Sequence, residues 1–158
     1  MNFMSSTTIA HTHSARWDAM LAPYHLGYRI KLLSQLLGRT FQERLEPFGL
    51  TLCHWLVLCC LWQEDGLATS DIAERLKQVG GTLTGVLARM EERGLVRREQ
   101  NPRDRRVWQI WLTPSGKQLQ QVLPPVARDI RDQSMVGISI PEQEQLSQLL
   151  ERAIANLS

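Results

Sequence analysis

Five arginines fall between Arg97 and Arg106, set against only Glu99 and Asp104, so ten residues carry a local charge of +3. Guanidinium groups at that density can neutralise phosphates along a nucleic-acid backbone, and affinity gained that way falls as salt rises. Their connecting segment, Gln100-Asn101-Pro102-Arg103-Asp104-Arg105-Arg106, is too polar for a core and too long for a two-residue turn. It is expected to protrude as a hairpin loop, a wing. Arg75, Lys77, Arg89 and Arg93 extend the basic stretch, so that the span 75–106 holds nine of the chain's 18 basic residues. The whole-chain net charge of +2 hides this segregation.

Other residues capable of chemistry are fewer. His11 and His13 lie in a polar tail, and His25 and His54 have no cysteine or carboxylate at ligand spacing, so neither a metal nor a cofactor is expected. Ser, His and Asp occur without a nucleophile elbow, phosphate loop or triad spacing, which argues against an enzyme. Cys53, Cys59 and Cys60 are odd in number and clustered, unlike a secreted disulfide framework, and are expected to be reduced. Cys53 and Cys60 lie about 10 Å apart along a helix and cannot be bridged within it. Cys59 is expected to act as a buried small hydrophobe, leaving Cys53 and Cys60 as the candidates for oxidation sensing.

The elements that must position these residues follow from periodicity. A long helix is expected from about Trp17 to Glu46, with Leu26, Ile30, Leu33, Leu37, Phe41 and Leu45 as one apolar stripe and Leu32 and Leu36 beginning another. Two apolar sides call for two neighbours, one of them a natural place for a second subunit. A second helix, Thr51 to about Gln63, is expected to bury Leu52, Trp55, Leu56, Cys59 and Trp62. A short helix from Ser70 or Asp71 to Lys77, a glycine turn, and a helix from about Gly81 to Arg93 form a helix-turn-helix. The last of these has Leu83, Val86, Leu87 and Met90 inward and the small or polar Thr82, Gly85, Ala88 and Arg89 outward. The period then changes to two: Leu95 to Glu99 and Val107 to Leu112 read as strands, with Trp108, Ile110 and Leu112 on one side and Trp111 on the other, in need of a partner. Thr113-Pro114 opens a further helix that Pro124-Pro125 must kink or interrupt. Ser139-Ile140-Pro141-Glu142 has capping-box spacing ahead of a last helix striped by Leu146, Leu149, Leu150, Ala153, Ile154 and Leu157. The longest apolar run, Trp55 to Trp62, is far short of the roughly 20 residues that span a bilayer, and no leader pattern precedes it. A cytoplasmic protein without membrane contact is the expectation.

This order of elements resembles the MarR family of bacterial transcriptional regulators, from about Tyr24 to Leu157. The resemblance rests on Leu50-Thr51 with Trp55 and Leu58, on Ser70-Asp71-Ile72-Ala73, and on Gly81-Thr82-Leu83-Thr84 through Arg89-Met90-Glu91 to Gly94-Leu95-Val96. Its most specific part is Asp104-Arg105-Arg106 followed by Ile110 and Leu112-Thr113-Pro114-Ser115-Gly116. It implies a homodimer joined through intertwined terminal helices, reading a palindromic operator in double-stranded DNA with two winged lobes. The positions matching the family's DNA-contacting pattern are Gly81, Thr82, Thr84 and Arg106, with Asp104 orienting Arg106 by a salt bridge. The local charge adds Arg103 and Arg105, and Arg89, as phosphate contacts. Family members commonly respond to small aromatic ligands, for which Tyr24, His25, Tyr28, His54 and Trp55 are the candidate pocket residues here, or else ordinary core aromatics. Others respond to oxidation, but the peroxide-sensing branch uses a cysteine near the start of the first helix, a region that here has none.

The expected fold is therefore mainly α with a small β-hairpin wing: a winged helix-turn-helix domain plus a helical dimerisation region built from N- and C-terminal helices. Its parts are a tail at 1–15, an N-terminal dimerisation helix at 16–48, a DNA-binding region at 49–113 and C-terminal helices at 114–158. The expected function is that of a repressor released from its operator by a small aromatic ligand. The alternatives are a cysteine-based redox-responsive regulator of the same fold and a winged-helix protein-interaction module, the latter disfavoured by a small, polar and basic recognition face.

Overall fold

A computed structural model describes residues 25–77 and 80–157. The His11/His13 pair, Tyr24, the expected helix start near Trp17 and the Gln78-Val79 turn lie outside the described residues. The first helix, α1 (Leu26–Leu45), opens where His25 Nδ1 accepts the Tyr28 backbone N–H at 3.1 Å. The chain divides into two compact units, up to Thr40 and from Phe41. In the first, the apolar residues Leu26, Ile30, Leu32, Leu33 and Leu36 are all exposed.

The second unit holds the core. A 3-10 turn, Glu46–Phe48, is closed by Gly49 in the left-handed conformation (φ 64°). Helix α2 (Leu52–Gln63) then starts at Thr51, whose side chain accepts the His54 N–H. Its buried side is His54, Val57, Leu58, Cys60 and Leu61. The predicted face of Leu52, Trp55, Leu56, Cys59 and Trp62 is only half-buried, and Cys60 rather than Cys59 is the enclosed thiol. The reason is physical: a helix apolar all round gives periodicity no face to select. Trp55 instead packs beside Phe41 and edge-on to Trp62, at ring separations of 6.2 and 5.7 Å, and the Trp62 indole N–H donates to the Gly116 carbonyl at 3.1 Å.

Helix α3 (Thr69–Leu76) buries Ile72, and α4 (Gly80–Glu92) buries Leu83, Val86, Leu87 and Met90, as its spacing predicts. Gly94 ends α4 with φ 67°, which lets its own N–H reach the Glu91 carbonyl (2.8 Å) and the Leu95 N–H reach that of Met90 (2.9 Å). The strands β2 (Val96–Gln100) and β3 (Trp108–Leu112) pair antiparallel, Arg98 opposite Ile110. A third strand, β1 (Leu67–Ala68), pairs with the other edge of β3, for the order β1-β3-β2. Two residues are too short to show alternation, so the hairpin alone is predictable. Ile110 and Leu112 are buried as expected, whereas Trp108 is 46% exposed because it forms the last rung of the ladder, at the loop end. Trp111, on the opposite face, has its partners in Gly66, where a Cβ would lie 2.5 Å from the indole, and in the Arg97 guanidinium, 5.9 Å from the ring centre.

Beyond β3, Thr113 caps α5 (Pro114–Gln118) by accepting the Gly116 N–H. After a 3-10 turn, α6 (Leu123–Ser134) carries Pro124 and Pro125 in its first turn, so the break precedes the prolines, where missing N–H groups do no harm. Leu123 and Ile130 anchor α6. The last helix, α7 (Ile140–Ala155), has the predicted Ser139/Glu142 capping box and no buried residue. No single helix among the described residues is long and apolar enough to cross a membrane.

Gly116 sits where a Cβ would run into the Leu95 carbonyl oxygen and the Leu112 side chain. Backbone cannot yield as a flexible side chain can, so Gly116→Ala is expected to lower stability by about 1–3 kcal/mol in urea unfolding. A midpoint equal to that of the wild type would show the junction of β2, β3 and α5 to be looser than described.

Candidate nucleic-acid interface

Burial of one side of α4 determines what its other side presents. Thr82, Thr84 and Arg89 are exposed and Gly85 and Ala88 half-exposed, a low surface on which another molecule can approach the helix closely. Gly81 lies in the first turn of the same helix.

The wing loop is built by two short side chains. Asn101 Oδ1 accepts the N–H groups of Arg103 (2.8 Å) and Asp104 (3.3 Å), and Asp104 Oδ1 accepts that of Arg106 (3.0 Å). Backbone bonds from Val107 N–H to the Asp104 carbonyl and from Asn101 N–H to the Val107 carbonyl close it. Arg103, Arg105 and Arg106 all point into solvent, the Arg106 side chain 95% exposed. Its Nε lies 3.5 Å from Asp104 Oδ1, so Asp104 grips the Arg106 backbone more closely than its head group.

Four other arginines of the basic stretch are occupied within the chain. Arg75 pairs with Glu64 and Arg97 with Glu99. Arg98 joins β2 to α4: its N–H donates to Glu91 Oε1 at 3.2 Å, and its Nε lies 3.0 Å from Oε2, a charge contact off the line of a good hydrogen bond. Arg93 donates to the carbonyls of Phe48 (2.9 Å) and Gly49. Counting charge assigns all these arginines one role; only contacts separate the braces from the exposed set of Arg89, Arg103, Arg105 and Arg106. Between α4, the start of α3 and the wing lies a cleft of about 350 Å³, lined by Thr69, Ser70, Thr84, Arg98, Arg106 and Trp108 among others.

Of the candidate ligand residues, His54 and Trp55 do not line that cleft. His25 and Tyr28 stand edge to face at the start of α1, ring centres 6.4 Å apart. In the second unit Trp55 packs with Phe41 and Trp62, and His54 is buried. Its Nδ1 accepts the Thr51 N–H at 3.2 Å, and burial followed by the charges of Arg93 and Arg89 holds its pKa below the usual histidine value. Among the thiols, burial pushes Cys59 up to about 11 and also raises Cys60, the reverse of what activates a cysteine. No group of three or more metal-ligating side chains occurs among the described residues.

The family model that matches the chain is that of the MarR family, over residues 50–108. The chain is 30% identical over 135 residues to the HTH-type transcriptional regulator TtmR of Methylorubrum extorquens, covering 85% of this chain and 68% of the relative. It is similar in fold to the S. aureus MepR–DNA complex, with TM-score 0.78 and 25% identity over 87% of this chain and 100% of that one. A second similar structure is Bordetella bronchiseptica BpsR, described by its regulation of DNA binding by 6-hydroxynicotinic acid, with TM-score 0.75 and 26% identity over 81% and 97%. A helix presenting a small polar face, a three-stranded sheet ending in an arginine-bearing wing, and these relatives agree: the chain belongs to the MarR family and is a winged-helix, DNA-binding transcriptional regulator.

Proposed function

We propose that α4 enters the major groove of duplex DNA, with Gly81, Thr82 and Thr84 at the bases and Arg89 at a phosphate, while Arg103, Arg105 and Arg106 lie on the adjacent backbone and minor groove. The observation that carries this reading is the wing loop: three exposed guanidinium groups on a backbone pinned by Asn101 and Asp104. Arg106→Ala is expected to weaken binding to a cognate duplex by tenfold or more, at a cost of about 1–3 kcal/mol. Its melting temperature should stay near wild type, since the side chain is almost wholly in solvent. Fluorescence anisotropy over a salt series checks the first and thermal denaturation the second; unchanged affinity would remove the wing from the contact.

The functional unit is proposed to be a homodimer on a palindromic operator, with 49–113 as the DNA-binding region and 16–48 and 114–158 supplying the dimer contacts. Support comes from the apolar residues left in water on single-chain α1 (Leu26, Ile30, Leu36) and α7 (Ile140, Leu149). Large apolar side chains left exposed on both helices mark an interaction site. The double variant Leu36→Asp/Leu149→Asp should remain helical but sediment as a monomer and lose operator binding. A wild-type protein that sediments as a monomer at micromolar concentration while still binding would refute the dimer.

The regulatory reading is a repressor released by a small aromatic ligand, in line with the named effect of 6-hydroxynicotinic acid on BpsR and with the polar aromatic pair His25 and Tyr28. Tyr24, His54 and Trp55 are the other candidates by residue type. A panel of aromatic acids should contain a compound that raises the melting temperature and displaces the duplex. A panel that moves neither quantity would leave the operator under some other control.

A further inference from the structure

A capping box joins a Ser or Thr at the helix start to a Glu or Gln three residues on, the second side chain accepting the N–H of the first residue. In Thr51-Leu52-Cys53-His54 the acceptor is an imidazole: His54 Nδ1 takes the Thr51 N–H at 3.2 Å, and Thr51 Oγ1 takes the His54 N–H at 3.3 Å. Nδ1 can accept only while unprotonated, so the proton of the neutral ring sits on Nε2. Protonation places an N–H on Nδ1 facing the Thr51 N–H, donor against donor, and the box opens. Gln or Glu would not behave so near neutrality.

What surrounds His54 makes this consequential. The side chain is 4% exposed, so a charge there has little water to stabilise it. The charges that bear on it among the described residues come from the end of α4: Arg93, just past the helix, and Arg89, in its last turn. Arg93 is also the brace that holds the carbonyls of Phe48 and Gly49, three and two residues before Thr51. One short segment, 48–51, is thus held from α4 by Arg93 and from α2 by His54. A positive imidazole would release one hold and repel the other. The end of α4 loses its seat, and α4 is the helix that carries Thr82, Thr84 and Arg89.

We propose that His54 is a proton-sensitive positioning residue: its capping box opens in acid, lowering both the stability of the winged domain and the affinity of α4 for DNA. The sign follows from linkage. His54 takes up a proton less readily folded than unfolded, so the unfolded state binds more protons and stability rises with pH. The contribution is complete above the unfolded value of about 6.5 and is lost as pH falls from there toward the lowered folded value.

The test compares the full chain with His54→Gln, which keeps an acceptor that does not titrate. A duplex selected by wild type from a random-sequence pool at pH 8 serves as probe, at fixed ionic strength from pH 8 to pH 5.5. Between those limits wild type should lose about tenfold more affinity than His54→Gln, the scale set by losing one buried hydrogen bond. Its urea midpoint should fall further as well. Should His54→Gln fold poorly, an NMR titration of wild type gives the same answer: the Thr51 amide resonance must move together with the His54 ring. Parallel pH profiles for the two proteins, or a Thr51 amide indifferent to His54, would overturn the proposal. The DNA measurement rests on the reading of α4 proposed above and unfolding does not. Failure to select any duplex at pH 8 would sink the DNA reading, while a selected duplex with parallel profiles would sink this one.

Discussion

Burial of Leu83, Leu87 and Met90 is the constraint on which the remainder depends. These three side chains have essentially no exposed surface, and each would cost about 2–5 kcal/mol to truncate to Ala if it behaves as buried Leu and Met usually do. Together they lock the rotation of α4 about its own axis. A helix of 13 residues with one face committed this firmly has no choice about what its other face displays. The exposure of Thr82, Thr84 and Arg89 is thus a by-product of core packing, and a function can rely on it without further stabilisation.

The braces around α4 extend the same control outward. Glu91 ties it to β2 through Arg98, and Arg93 ties its end to the segment before α2. Exposed ion pairs contribute little stability on their own. Their value here is geometric, since they relate the helix to the strand that leads into the wing. The Glu91–Arg98 link spans the Gly94 turn and keeps the spacing of helix and hairpin without enlarging the core.

Much of this is legible in the residues. The α4 stripe, the Gly94 stop, the Thr113 and Ser139 caps and the polar loop each express one local preference that packing does not contradict. Helix α2 illustrates the opposite case. It is apolar on every side, so only its neighbours decide that Val57, Leu58 and Leu61 go inward while Trp55 and Cys59 stay half-covered. The two-residue β1 is set by pairing with β3 and has no signal of its own. At the interface, the basic stretch is evident from charge alone, but Arg93, Arg97 and Arg98 acquire their roles only through Phe48, Glu99 and Glu91, partners that no spacing rule connects. His54, a candidate pocket or core residue by its type, also holds a helix start through a hydrogen bond that its spacing from Thr51 alone does not reveal.

The two asparagine- and aspartate-centred turns of the wing bear on the thermodynamics of encounter. A loop whose amides are already satisfied by Asn101 and Asp104 has little backbone freedom left to surrender. In the docking proposed above, the ordering penalty would fall mainly on the arginine rotamers, about 0.5–1.5 kcal/mol for each side chain immobilised. A floppy loop of equal charge would also have to freeze several residues of main chain, at roughly 1–2 kcal/mol apiece. The side chains of Asn101 and Asp104 transfer that entropic loss from the moment of binding to the moment of folding, where the hydrophobic core can offset it.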